Sequence, residues 1–168
     1  AIQALVAKGN LEEAVQRARG LQYFRDIYNV QDTVEEGMAI LEEFIHLQPG
    51  FFLYVDVIGA GGSVVALDLG AFSPAKAIES EENFRVSVLF FYYLSRIHQP
   101  TLQCIRAGVS YLTEGNTGWE NQDRTWDQRF YDEYLMHDPI RFKQILVYNT
   151  SSIAHIGFSL CKPFLPRE

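Results

Sequence analysis

From Leu11 onward, apolar residues recur at every third and fourth position. Leu11, Ala14, Val15, Ala18, Leu21 and Phe24 follow a 3.6-residue period, and Asn10 with Glu13 forms a capping box ahead of them. The pattern predicts an amphipathic helix to about Tyr28. Asp32 and Glu35 repeat the start signal, Val34, Met38, Leu41 and Ile45 carry the next apolar stripe, and Pro49-Gly50 ends it. Residues 1–50 therefore read as a helical segment.

The period changes after Gly50. The stretch "FFLYVDVIGAGGSVVALDLG" is rich in aromatic and β-branched residues around a glycine cluster that a helix would not tolerate, which predicts strands at about 51–57 and 63–69. Ser73-Pro74 opens a short helix. Ser80 caps a longer one carrying Phe84, Val88, Phe91, Tyr92 and Ser95, ended by Gln99-Pro100. A strand over 104–112 follows, then the polar loop "TEGNTGWENQD". Trp126, Phe130, Tyr134 and Leu135 mark a helix that His137-Asp138-Pro139 stops. "KQILVYN" predicts a strand at 143–148, and "SSIAHIGFSLC" a last helix that Pro163 ends. This order predicts an α/β fold: N-terminal helices followed by a mixed, partly parallel sheet flanked by helices.

Composition narrows the function classes. A chain of 168 residues with 48% apolar content forms one globular body and buries a core without staples. A formal charge of -7 argues against a nucleic-acid partner, and against an anionic membrane surface, because both are held by clustered Lys and Arg. Cys104 and Cys161 fit no metal or redox spacing and read as small buried hydrophobes in a reducing compartment. The expected location is intracellular, cytoplasmic or organellar, and not secreted. No apolar run approaches the ~18 residues of a membrane span, and the opening residues lack the layout of a signal peptide.

Candidate chemistry is sparse. Gly59-Ala60-Gly61 lacks a third glycine, since position 64 is Val64, and it precedes a strand, so it reads as a hairpin turn and not a phosphate loop. His155 near Ser151 and Ser152 has no nucleophile elbow and no orienting acid, and reads as a helix-packing or cavity-wall residue. His137 and Asp138 beside Asp132 and Glu133 match no metal-ligand set. Glu79, Glu81 and Glu82 lie at a helix start, where they favour the helix dipole. With no nucleophile, base and orienter at recognisable spacing, the chain reads as a non-enzyme.

The order of elements and the tail carry a resemblance. "GNLEEAVQRARGLQYFRDIY" with its Phe24-Arg25 step, and "VDVIGAGGSVVALDLGAFSPAK" with Asp56, Gly59, Val64 to Leu69 and Pro74, are similar to the CRAL-TRIO lipid-binding family. Its most specific part is "DPIRFKQILVYNTSSIAHIGFSLCKPFL", in which Asp138-Pro139, Arg141, Ile145 to Asn149 and Lys162-Pro163-Phe164-Leu165 follow the family's pattern. The resemblance implies a CRAL-TRIO-like domain over 51–168 whose sheet and helices enclose an apolar cavity for one lipid-like molecule. It implies Phe91, Tyr111, Leu146, Tyr148, Ile153, Ile156 and Phe158 as the ligand-lining group. The implied function is non-enzymatic binding or transfer of a hydrophobic small molecule, such as a phospholipid or isoprenoid. No cofactor is expected beyond a bound lipid, and no nucleic acid; transient membrane contact and protein partners stay open. Two departures favour the alternative, an interaction or scaffold subunit of a larger complex with a filled or lidless cavity. The loop "TEGNTGW" has Thr113 and Glu114 where the family usually has an Asp, and the family's last strands and covering helix would fall after Glu168.

Overall fold

The computed structural model describes residues 7, 9–57, 63–97, 107–112, 118–138 and 142–148. Helix α1 spans Leu11–Ile27, and its Asn10 cap accepts from the Glu13 backbone N–H at 3.2 Å. Helix α2 spans Val34–Leu47. Its cap is Thr33, whose hydroxyl accepts from Glu36 N–H at 3.1 Å, and not the expected Asp32. Asp32 instead takes a left-handed backbone, φ 56, and its carboxylate pairs with Arg25 and the Tyr92 hydroxyl. Strands β1 (Phe52–Val57) and β2 (Ser63–Asp68) follow. Next come the single turn α3 (Pro74–Ala77) and the long helix α4 (Glu81–Ile97). Strand β3 (Ala107–Leu112), helix α5 (Arg124–Phe130) and strand β4 (Phe142–Tyr148) complete the order. Past Phe130 the helix widens into a π turn over Tyr131–Leu135.

The described residues are mostly helical, and this corrects the expected α/β class, in which a sheet would be the centre of a CRAL-TRIO-like arrangement; the strand segments form one ladder beside a helical core. The physical reason lies in where the apolar area is buried. Helix α4 is apolar nearly all round its circumference, as expected of a helix enclosed by its neighbours: Phe84, Val86, Val88, Leu89, Phe90, Tyr92 and Tyr93 are all buried. Around it close Phe24 of α1, Ile40 and Phe44 of α2, Trp126 of α5 and Tyr134 of the π turn. The rings interlock: Phe44 stacks on Phe90 at 3.8 Å between centroids, and Trp126 stacks on Phe130 at 5.3 Å. From the strands, Leu67 enters this cluster and Phe52 packs against it. Element order misled because it counts elements equally, whereas α1 and α4 have 17 residues each and the first three strands only 6.

The strand segments form a ladder in the order β1-β2-β3-β4. β1 runs antiparallel to β2, with a register shift between Phe52 and Tyr54, while β2–β3 and β3–β4 are parallel. Two polar side chains tie the ladder's flank to the helices. Gln48, 1% exposed, donates to the Ser73 carbonyl and accepts from the Ser73 N–H, both at 2.9 Å. Asn121 donates to the carbonyls of Gly70 at 3.1 Å and Phe72 at 2.8 Å. Each satisfies backbone groups that burial would otherwise leave costly.

Candidate functional site

Register decides which candidate residues share a face. Leu67, Tyr111 and Val147 pair across β2, β3 and β4, and so do Val65, Val109 and Ile145 two residues earlier. Leu67 is 3% exposed and belongs to the helical core, which identifies this as the face turned to the helices. Residues alternate along a strand. Ala66, Ser110 and Leu146 therefore form a row on the opposite face, with Val64, Gly108 and Gln144 on one side and Asp68, Leu112 and Tyr148 on the other. The middle of that face is made of the smallest residues, Ala66, Gly108 and Ser110.

The ligand group read from sequence is thus divided. Leu146 pairs in register with Ser110 and Ala66, and Tyr148 with Leu112, whereas Tyr111 pairs with Leu67 and Val147. Phe91 is a core-packing residue. Its ring meets Phe130 at 4.9 Å, Phe90 at 5.1 Å and Phe51 at 6.1 Å, so it serves contacts within the core. Ile153, Ile156 and Phe158 lie outside the described residues, as do Gly59 to Gly61, His155 with its serines, both cysteines and the Lys162-Pro163-Phe164-Leu165 tail.

A polar seam whose tyrosine–carboxylate pairs mostly lie far apart in the chain runs through the helical body. Four tyrosine hydroxyls donate to carboxylates: Tyr28 to Glu133 and Tyr92 to Asp32 at 2.5 Å each, Tyr93 to Glu36, and Tyr134 to Asp138. The arginines complete it. Arg96 lies 3.7 Å over the Tyr92 ring and 3.4 Å from Asp138, and Arg129 holds Glu133 at 3.1 Å and Glu81 at 3.0 Å. Burial, then the carboxylate partner, pushes the Tyr28 phenol above its ordinary range. Burial likewise raises Tyr92 against the opposing charge of Arg96. Both phenols stay protonated donors, so the seam's chemistry is to tie carboxylate side chains to hydroxyl donors between helices.

This seam also absorbs the acidic cluster singled out in the sequence. Asp132 accepts from Gln128 at 2.6 Å, Glu133 from Tyr28 and Arg129, and Asp138, 3% exposed, from Tyr134 and Arg96. Burial pushes the His137 imidazole below its ordinary value, with Arg17 adding to the effect and Asp132 opposing it. Glu81, at the start of α4, is held below the usual carboxylate range by its hydrogen bonds and attraction to Arg129. Among the described residues no group of three or more His, Cys, Asp or Glu converges as a metal site. Among them, too, no helix is long and apolar enough to cross a membrane. No family model, no curated protein and no solved structure matches this chain.

Proposed function

We propose that the chain holds one hydrophobic small molecule, a phospholipid, an isoprenoid or a compound of similar character, against the ladder face that carries Ala66, Ser110 and Leu146. One observation carries the reading: Ala66, Gly108 and Ser110 are small and stand at neighbouring register positions, with Val64, Leu112, Leu146 and Tyr148 around them and Asp68 and Gln144 as polar positions at the corners. Small centres leave room, and apolar neighbours give an alkyl chain something to pack on. The opposite face already serves the helices through Leu67. Each buried methylene is worth ~0.8 kcal/mol, so a chain of ~15 carbons offers about 12 kcal/mol gross before ordering costs. No reacting group is needed for such a role.

The test is native mass spectrometry of the gently purified protein with extraction of what it carries, repeated on Ser110→Phe. A bound lipid that is lost in the variant, with an unchanged melting temperature, supports the reading. A variant that keeps its lipid places the ligand elsewhere. A second reading, an interaction or scaffold subunit with a filled cavity, is favoured by Phe91, which packs among core rings and not around a void. Under it, the purified chain carries no lipid, and Ser110→Phe overpacks a closed interface at a cost of ~1–3 kcal/mol.

A further inference from the structure

We propose that the outer face of α2 is a docking surface for a basic amphipathic helix of a partner protein. The inference does not depend on whether the ladder face takes a ligand. The inner side of α2 is already used: Gly37, Ile40 and Phe44 are buried, and Phe44 stacks on Phe90 of α4. Yet the outer side is apolar as well. Val34 is 65% exposed, Met38 51% and Ile45 43%, and with the half-buried Leu41 they follow the helix period along about 16 Å. Isolated exposed apolar residues are ordinary, but a stripe kept in register along a helix is the footprint of a helical partner.

Charge identifies the partner. Glu35 and Glu42, seven residues apart, line one edge of a shallow groove floored by Met38, Leu41 and Ile45. Glu43 adds to the charge, and α2 contains no Lys or Arg. Glu36 is turned inward to the Tyr93 hydroxyl, but among the described residues Glu35, Glu42 and Glu43 form no ion pair. The partner that fits presents an apolar stripe with Lys or Arg about seven residues apart on its flank. An anionic lipid surface would be repelled by this edge. A second copy would bring together chains of charge -7.

The experiment uses the full chain and two synthetic amphipathic helices sharing a leucine face, one flanked by Lys and one by Glu, with binding followed by fluorescence anisotropy at low and high salt. The Lys peptide is expected to bind and to weaken with salt, while the Glu peptide does not bind. Glu35→Lys with Glu42→Lys should weaken the Lys peptide at least about tenfold and let the Glu peptide bind, since each exposed pair contributes modestly and reversal counts twice. Met38→Ser should weaken the Lys peptide without changing its salt dependence. If the double reversal disturbs folding, Glu35→Gln with Glu42→Gln reads the same loss through a flattened salt dependence. Equal binding of both peptides would overturn the proposal, and so would indifference to the charge changes. It would equally be overturned by a dimer in sedimentation, or by binding to phosphatidylserine vesicles, that Met38→Ser abolishes.

Discussion

Gly20 sits mid-way along α1, where glycine costs a helix ~1 kcal/mol relative to alanine, so Gly20→Ala should stabilise the chain on local grounds. The crossing of α1 with the π turn reverses that expectation. A Cβ on Gly20 would overlap the His137 ring at Nδ1, Cε1 and Cγ, and the Cγ overlap means that turning the ring about its own bond does not relieve it. The neighbouring contacts resist separation: Arg17 donates to the Met136 carbonyl at 2.9 Å, and the Phe24 and Tyr134 rings meet at 5.2 Å. Overpacking of this kind costs ~1–3 kcal/mol, which outweighs the helix gain and leaves a net loss of about 1 kcal/mol. In a His137→Ala background the same Gly20→Ala change should instead gain ~0.5–1 kcal/mol. Urea denaturation of the wild type, both single variants and the double variant gives the coupling, expected at ~1–3 kcal/mol with unchanged m. Stabilisation by Gly20→Ala in the wild-type background, or a coupling within error, would refute the reasoning.

Burial lowers the His137 pKa from 6.5, so the unfolded chain takes up that proton first on acidification. The contribution is fully present above pH 6.5 and is lost as pH falls through the lower folded value, so midpoints of His137→Asn should decline less than wild type across that window. Thr33→Ala removes the α2 cap and should cost ~0.5–2 kcal/mol, read as a lower melting temperature, and Thr33→Asp should restore most of it. Tyr134→Phe leaves the buried Asp138 carboxylate short of a donor and should cost ~1–3 kcal/mol in chemical denaturation, whereas Tyr131→Phe, at an exposed ring, should cost almost nothing.

What was legible in the sequence was local. Asn10 and Ser80 announce their helices because the cap oxygen meets a backbone N–H three residues on, at 3.2 Å and 3.0 Å, within one turn of chain. Asp32 and Thr33 are both able to cap, and their order was decided by Arg25 and Tyr92, which no local pattern includes. Most of the tyrosine seam was invisible for the same reason: Tyr93 and Glu36 are 57 residues apart, and Tyr28 and Glu133 105, and only Tyr134 and Asp138 stand one helical turn apart. Tyr111 shows a different limit. Alternation along β3 is readable, but the register that pairs Tyr111 with Leu67 and Val147, and Leu146 with Ser110, is a long-range property that no stretch of sequence carries.

Helix α2 brings the two kinds of apolar surface into one element, and this makes stability and recognition separable. Inside, Ile40 and Phe44 are 3% and 0% exposed, so Phe44→Ala should cost ~3–5 kcal/mol through lost transfer energy and a cavity against Phe90 and Phe51. Outside, Met38 is 51% exposed, and Met38→Ser should change stability by no more than ~0.5 kcal/mol while weakening the Lys-flanked helix. A helix needed only for the core would keep the first sensitivity and gain solubility by making Val34, Met38 and Ile45 polar. If Met38→Ser instead destabilised the chain by several kcal/mol, the outer stripe would be part of the fold itself, covered by residues of this same chain, and the partner helix would have no place to bind.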